Sequence, residues 1–162
     1  MFKEAYNIVI VGGGSTWTPG ILKALTKHKE KLPLKKVTLY DIDKERQETI
    51  GEFGIVLFKE EYPEVEFSYT TDKKNAYTDV DFVFCQMRTG GYPMREKDEH
   101  IPLSMGVIGQ ETCGPGGFAY GIRSIKDMVE MVKDVREYSP EAWILNYTNP
   151  AAIVAYALKK VF

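Results

Sequence analysis

Histidine and cysteine, the side chains that most often build metal centres, are nearly missing from this sequence, with two of each among 162 residues. Cys85 lies inside an apolar run and Cys113 in a glycine-rich loop. With no CxxC spacing and no histidine close by, neither a disulfide framework nor a zinc site is indicated. His28 and His100 stand far apart in charged surroundings and read as solvated helix-face residues. An excess of one charge is missing too: 21 basic side chains face 23 acidic ones, for a net charge of −2, which gives nucleic acid no electrostatic footing. No uncharged apolar run approaches the ~20 residues that cross a bilayer, and the start has no basic, apolar and small-residue zones of a secretory signal. Internal repeats and low-complexity tracts are also absent. The expectation is one soluble, cytoplasmic chain with no membrane or nucleic-acid partner.

What is present alternates. Apolar runs of strand character occur at Asn7 to Val11, Val37 to Tyr40, Val65 to Thr70, Phe82 to Met87 and Ala142 to Tyr147, separated mostly by helical patterns. Thr18-Pro19 opens a helix to about Lys29. Asp43 caps a second that turns Ile50, Phe53, Leu57 and Phe58 toward the sheet, with Gly51 and Gly54 weakening it. Phe118 to Tyr138 has helical spacing and ends at Ser139-Pro140, and a last helix follows Pro150 toward Phe162. Thr89 to Gly117, rich in Gly, Pro and charge, reads as two loops around one short helix near Arg95 to Ser104. The pattern predicts an α/β fold with a doubly wound, mostly parallel, Rossmann-like sheet. In such a sheet ligands lie at the carboxyl ends of the strands, so the loops starting at Gly12, Asp41, Arg88 and Thr148 are expected to converge there.

The run Gly12-Gly13-Gly14-Ser15 links the first strand to the first helix. Small residues there let the main chain approach a pyrophosphate, with free amides and the helix N-terminus supplying positive potential. The third glycine of the dinucleotide fingerprint is replaced by Trp17, so an ordinary strand-to-helix turn is the competing reading. Asp41, just after the second strand, suits a ribose diol and repels a 2′-phosphate, favouring NAD; it equally suits a turn or cap in Asp41-Ile42-Asp43.

Three strings together are specific: Gly12-Gly13-Gly14-Ser15-Thr16 with Pro19; Gly109-Gln110-Glu111-Thr112-Cys113-Gly114-Pro115-Gly116-Gly117; and Asn146-Tyr147-Thr148-Asn149-Pro150. Their order and spacing resemble glycoside hydrolase family 4 along essentially the whole chain. Cys113 and Asn149 to Ile153 lean toward its branch for 6-phospho-α-glucosides. The resemblance implies NAD- and divalent-metal-dependent cleavage of sugar 6-phosphates such as maltose 6′-phosphate, with Mn2+ the expected metal. Hydride leaves C3 for NAD+, a tyrosine takes the C2 proton, the leaving group is eliminated, and water and hydride are then added back. It implies Gly12, Gly13, Gly14, Ser15, Thr16, Asp41 and Arg46 as NAD contacts, and Arg95 and Asn149 as contacts to the sugar or its phosphate. Glu111 is implied as the carboxylate that raises the basicity of the catalytic tyrosine.

Each role has a plainer competitor. Arg95 sits in the mixed-charge run Arg95-Glu96-Lys97-Asp98-Glu99, which also describes a solvated helix face; Glu111 also suits a loop cap; and Asn149 before Pro150 suits a helix start. The family's metal-binding cysteine and histidine, its acid aspartate and its base tyrosine have no counterpart in this sequence. Residues 1–162 are therefore expected to be the NAD-binding domain, with the family's carboxy-terminal metal and catalytic domain absent from the chain, which alone should hydrolyse nothing. Exposed apolar helix faces, including Ile153, Val154, Leu158 and Val161, predict self-association or poor solubility of the chain in isolation, and the resemblance implies a homo-oligomer. Two other functions are weighed: a lactate- or malate-type NAD-dependent 2-hydroxy-acid dehydrogenase, with Arg88 or Arg95 at a carboxylate, and a non-catalytic NAD-binding module.

Overall fold

The computed structural model describes residues 3–162. The chain forms two compact units: one runs up to Gln86 and includes Asp134–Leu145, and the other comprises Met87–Lys133 and Asn146–Phe162.

In the first unit, β1 (Tyr6–Val11), β2 (Leu34–Tyr40), β3 (Glu66–Thr70) and β4 (Phe82–Cys85) alternate with α1 (Thr18–Lys27), α2 (Lys44–Glu61) and α3 (Lys73–Tyr77). With β5 (Trp143–Asn146) the strands order as β3-β2-β1-β4-β5. The β1–β2, β1–β4 and β2–β3 pairs are all parallel. After β3 the chain crosses back beside β1, so strand order reverses between β1 and β4, the position where an open α/β sheet leaves a crevice. β1 is buried on both faces and reads as the continuous apolar run Ile8-Val9-Ile10-Val11. Ile8, Ile10, Leu22, Val37, Leu39, Leu57 and Phe58 form the centre of the core.

Asp43 caps α2 as its position suggests, accepting the Arg46 amide at 3.0 Å. Gly51 and Gly54 are less a weakness than a fit: a Cβ on either would overlap the ring of Tyr69 or Phe67 on β3, so their absence of side chain lets α2 lie on those aromatics. α3 went unanticipated. Its five residues carry no apolar periodicity, yet Asp72 caps it by accepting from the Asn75 amide at 2.7 Å.

The second unit contains α4 (Gly91–Ser104), most of α5 (Gly114–Tyr138) and α6 (Ala151–Val161). α4 begins four residues before the expected Arg95, because Gly90 and Gly91, at φ +86° and +62°, make the turn into it and Pro93 sits where a first-turn amide needs no partner. α5 likewise starts at Gly114 rather than Phe118. Gly116 and Gly117 press on the backbones of Asp98 and Gln110 and of Thr112, contacts any side chain would block. Gly121 of α5 meets Ile153 of α6 in the same way. The expectation that α6 is exposed at Val154 is overturned: that residue is fully buried, Ile153 and Leu158 are half-buried, and the exposed large apolar residues of α6 are Tyr156 and Val161. None of the helices among the described residues is long and apolar enough to cross a membrane.

Candidate functional site

In the first unit the chain leaves β1 at Gly12 with φ +83°, a conformation side chains resist. The amides of Gly12 and Gly13 both donate to the Tyr40 carbonyl at 2.9 Å. A Cβ on Gly13 would stand 2.7 Å from Leu39 Cβ and 3.2 Å from the Tyr40 nitrogen, so only glycine lets the turn rest on β2. Gly14 is held at both of its polar groups: its amide donates to Asp41 Oδ2 at 2.8 Å, and its carbonyl accepts from Arg46 Nε at 2.9 Å. The other Asp41 oxygen accepts the Asp43 amide at 3.1 Å, so this carboxylate also makes the turn that the sequence left open.

The amides expected to be free are not. Ser15 donates to the Gly12 carbonyl at 3.0 Å, which leaves all four loop amides from Gly12 to Ser15 with protein acceptors. A tight, half-buried turn pairs its own backbone groups because leaving them unpaired is costly. The positive potential for a phosphate therefore comes from the N-terminal end of α1, flanked by half-buried Ser15 and exposed Thr16. Gln86, which sequence reasoning left inside a strand, reaches the reversal point from the end of β4. Its Nε2 donates to Thr18 Oγ1 at 2.8 Å and lies 3.4 Å from the Gly12 carbonyl. A polar side chain ending an apolar strand was the available signal. Trp17 replaces the third fingerprint glycine and is 77% exposed. This cradle of side-chain-free backbone, acid and helix end fits a dinucleotide.

The second unit gathers a charged cluster. Glu111 lies between two guanidinium groups, with Oε1 2.5 Å from Arg88 Nη2 and Oε2 3.4 Å from Arg95 Nη2. Arg95 also pairs with Glu99 through Nε at 2.8 Å; that hydrogen bond and the Glu111 charge hold its guanidinium protonated more firmly than usual. The Arg88 guanidinium lies over the rings of Tyr92 and Tyr120, 5.7 and 5.4 Å from their centroids. Burial pushes the Tyr120 phenol above its ordinary range, with the positive charge of Arg88 opposing. Asp98 is not the solvated helix-face acid its neighbours suggested. It is buried and bonded to Arg123 through both oxygens. The Arg123–Asp98 pair joins α5 to α4 across 25 residues of sequence, a distance no local pattern spans. Clustered charges like these have the chemistry to hold an anion or a sugar hydroxyl set, and they perturb each other's proton affinity.

Asn146 and Thr148 set the loop after β5: Asn146 Oδ1 accepts the Thr148 amide at 2.9 Å and Nδ2 donates to the Thr148 carbonyl at 3.2 Å. Thr148 Oγ1 accepts the Met87 amide at 3.0 Å, and the Asn149 carbonyl lies 3.4 Å from Ser124 Oγ. The Asn149–Pro150 peptide is cis, with Pro150 in the N-cap position of α6 rather than inside its first turn. The Asn149 side chain is exposed. Cys85 is buried and Cys113 exposed, and among the described residues no three of His, Cys, Asp and Glu come together as a metal site.

A model of the family 4 glycosyl hydrolases matches residues 7–162. Phospho-alpha-glucosidase PagL of Clostridium acetobutylicum is 56% identical over 98% of this chain, which corresponds to 36% of PagL. A crystal structure of a 6-phospho-alpha-glucosidase from gut microorganisms, in complex with NAD and Mn2+, superposes with a TM-score of 0.96 and 60% identity, covering 98% of this chain and 36% of that one. Another, in complex with NAD and glucose-6-phosphate, has a TM-score of 0.92 and 49% identity with the same two coverages. The chain thus spans about a third of the length of these relatives. A malate dehydrogenase from Salinibacter ruber, at 11% identity over 93% of this chain and 40% of its own, with a TM-score of 0.61, shares the fold alone and lends the dehydrogenase alternative no functional support.

Proposed function

The chain belongs to family 4 of the glycosyl hydrolases, and we propose that it forms the NAD-binding part, and one wall of the sugar-phosphate site, of a 6-phospho-α-glucosidase. The reading is carried by its 60% identity, over 98% of its length, to a 6-phospho-alpha-glucosidase crystallised with NAD and Mn2+. The geometry of each unit is consistent with it. Gly12, Gly13, Gly14, Ser15 and Thr16 offer a backbone surface free of bulky side chains, and Asp41 and Arg46 brace that surface at Gly14. Bound NAD+ supplies a reversible hydride acceptor, which lets a sugar ring be oxidised for elimination and reduced again with no net redox change.

The chain's own residues have narrower tasks. Arg95 offers a planar guanidinium to the substrate's 6-phosphate, and Asn149 an exposed amide to phosphate or hydroxyls. Glu111 is the carboxylate that raises the basicity of a tyrosine contributed by the whole protein. The divalent metal, general acid and base are assigned to the rest of the whole protein on the resemblance to relatives of which this chain spans about a third. The substrate class is a phosphorylated disaccharide such as maltose 6′-phosphate, the whole protein a cytoplasmic homo-oligomer.

Titration calorimetry of the 162-residue chain tests the reading. NAD+ and then glucose 6-phosphate are each expected to bind, with no turnover of a chromogenic 6-phosphoglucoside when Mn2+ is added. Absence of NAD+ binding by the folded chain overturns the cofactor assignment, and turnover overturns the division of labour.

A further inference from the structure

Arg88 does not appear among the residues assigned above, yet it has the shorter of the two contacts to Glu111. Its Nη2 stands 2.5 Å from Oε1, whereas Arg95 Nη2 is 3.4 Å from Oε2, beyond good hydrogen-bond length. Arg88 is also the better held of the two. It is wedged at two aromatic faces, Tyr92 and Tyr120, and its side chain is 29% exposed against 40% for Arg95. A guanidinium laid on aromatic rings keeps its in-plane N–H groups free for a carboxylate, so the stacking and the ion pair reinforce each other.

We infer that Arg88 is a positioning residue of the sugar-phosphate site: by drawing Glu111 to itself it keeps that carboxylate from closing on Arg95, and so leaves Arg95 available to a phosphate dianion. One carboxylate faces two guanidiniums in this cluster. Arg88 holds it tightly, so Arg95, whose Nε alone is engaged by Glu99, keeps its outer Nη groups for a ligand. With Arg88 removed, both Glu111 oxygens turn to Arg95, which Glu99 already engages at Nε, and the phosphate must then compete with two carboxylates for one fork. The inference rests on Arg95 being the phosphate contact, as proposed above.

The experiment is titration of glucose 6-phosphate into the 162-residue chain and its variants, with circular dichroism checking that each is folded. Arg88→Met is expected to weaken binding about tenfold, the scale of one charge-assisted hydrogen bond, and Arg88→Lys, which keeps the charge but not the fork, by less. The double variant Arg88→Met/Glu111→Gln is expected to recover wild-type affinity within about twofold, because the competing carboxylate is gone. Simple loss of packing at Arg88 predicts no such recovery. Equal affinity of Arg88→Met and wild type, or a double variant as weak as the single, overturns the inference. If Arg88→Met fails to fold, the comparison of Arg88→Lys with Arg88→Lys/Glu111→Gln decides in the same way. Failure of the wild type to bind, or unchanged binding in Arg95→Met, overturns instead the sugar-phosphate reading on which it stands.

Discussion

Arg123 grips Asp98 through both carboxylate oxygens, Nη1 to Oδ1 at 3.0 Å and Nη2 to Oδ2 at 2.5 Å, with the Asp98 side chain 5% exposed. This fork-on-fork pair ties α5 to α4 inside the second unit. Removing one partner of such a pair leaves the other charged and poorly solvated. Asp98→Asn is expected to cost about 2 to 3 kcal/mol in urea unfolding, toward the lower end for buried pairs because Arg123 keeps some solvent contact. Asp98→Asn/Arg123→Met should recover part of it. A change below about 0.5 kcal/mol, the scale of a surface pair, contradicts the burial argument.

Gly13 and Gly20 lie seven positions apart and predict opposite signs. A methyl on Gly13 meets Leu39 Cβ at 2.7 Å, so Gly13→Ala is expected to destabilise by roughly 1 to 3 kcal/mol through overpacking and to weaken NAD+ binding. A methyl on Gly20, in α1, meets nothing within 4 Å, so Gly20→Ala should stabilise by about 0.5 to 1 kcal/mol. Paired thermal melts check both, and like signs would count against the close-approach account.

Asp41 uses both oxygens to accept backbone N–H groups, from Gly14 and Asp43. Asparagine can offer only one oxygen there and turns an N–H toward the other donor. Asp41→Asn is expected to lower stability by about 1 to 2 kcal/mol, one lost hydrogen bond with a donor left unpaired. It should also reduce the upward shift in melting temperature that added NAD+ produces. An undiminished shift would show that Asp41 braces the loop without bearing on the cofactor.

Alkaline stability should follow two buried phenols. Burial raises the proton affinity of Tyr77 and Tyr120 above the ordinary 10.0. The unfolded chain therefore releases these protons first as pH rises. The stabilisation is full below pH 10.0, the unfolded value, and is lost as pH climbs toward the folded-state values. Tyr77→Phe should flatten the decline in unfolding free energy above that pH. In the native chain the tyrosinate absorbance should show Tyr77 and Tyr120 among the phenols that titrate late, together with unfolding; titration of every tyrosine near 10.0 without unfolding is the contrary result.

Phe118 and Ile122, one turn apart on α5, are 66% and 55% exposed. Neighbours at this spacing share a helix face, and exposed apolar faces promote association. Sedimentation velocity is expected to show concentration-dependent self-association that Phe118→Glu/Ile122→Lys abolishes. A clean monomer over the whole concentration range would remove the basis for a homo-oligomer through this face.

The sequence by itself determined the alternation of strands and helices, the parallel sheet, the glycine turn after β1 and the cap at Asp43, since each depends on periodicity or on one residue's local chemistry. The family strings, from Gly12 to Asn149, were legible for the same reason: they are short and contiguous. Tertiary structure alone decided which backbone groups the turn consumes, why Gly51, Gly54, Gly116 and Gly117 are glycine, and where α4 and α5 begin. It also decided that Asp98 is buried on Arg123 and that Arg88, rather than Arg95, is nearest to Glu111. Close approach and charge pairing are properties of packed surfaces: Asp98 and Arg123, like Arg88 and Glu111, stand more than twenty positions apart, and no local window of sequence contains both partners.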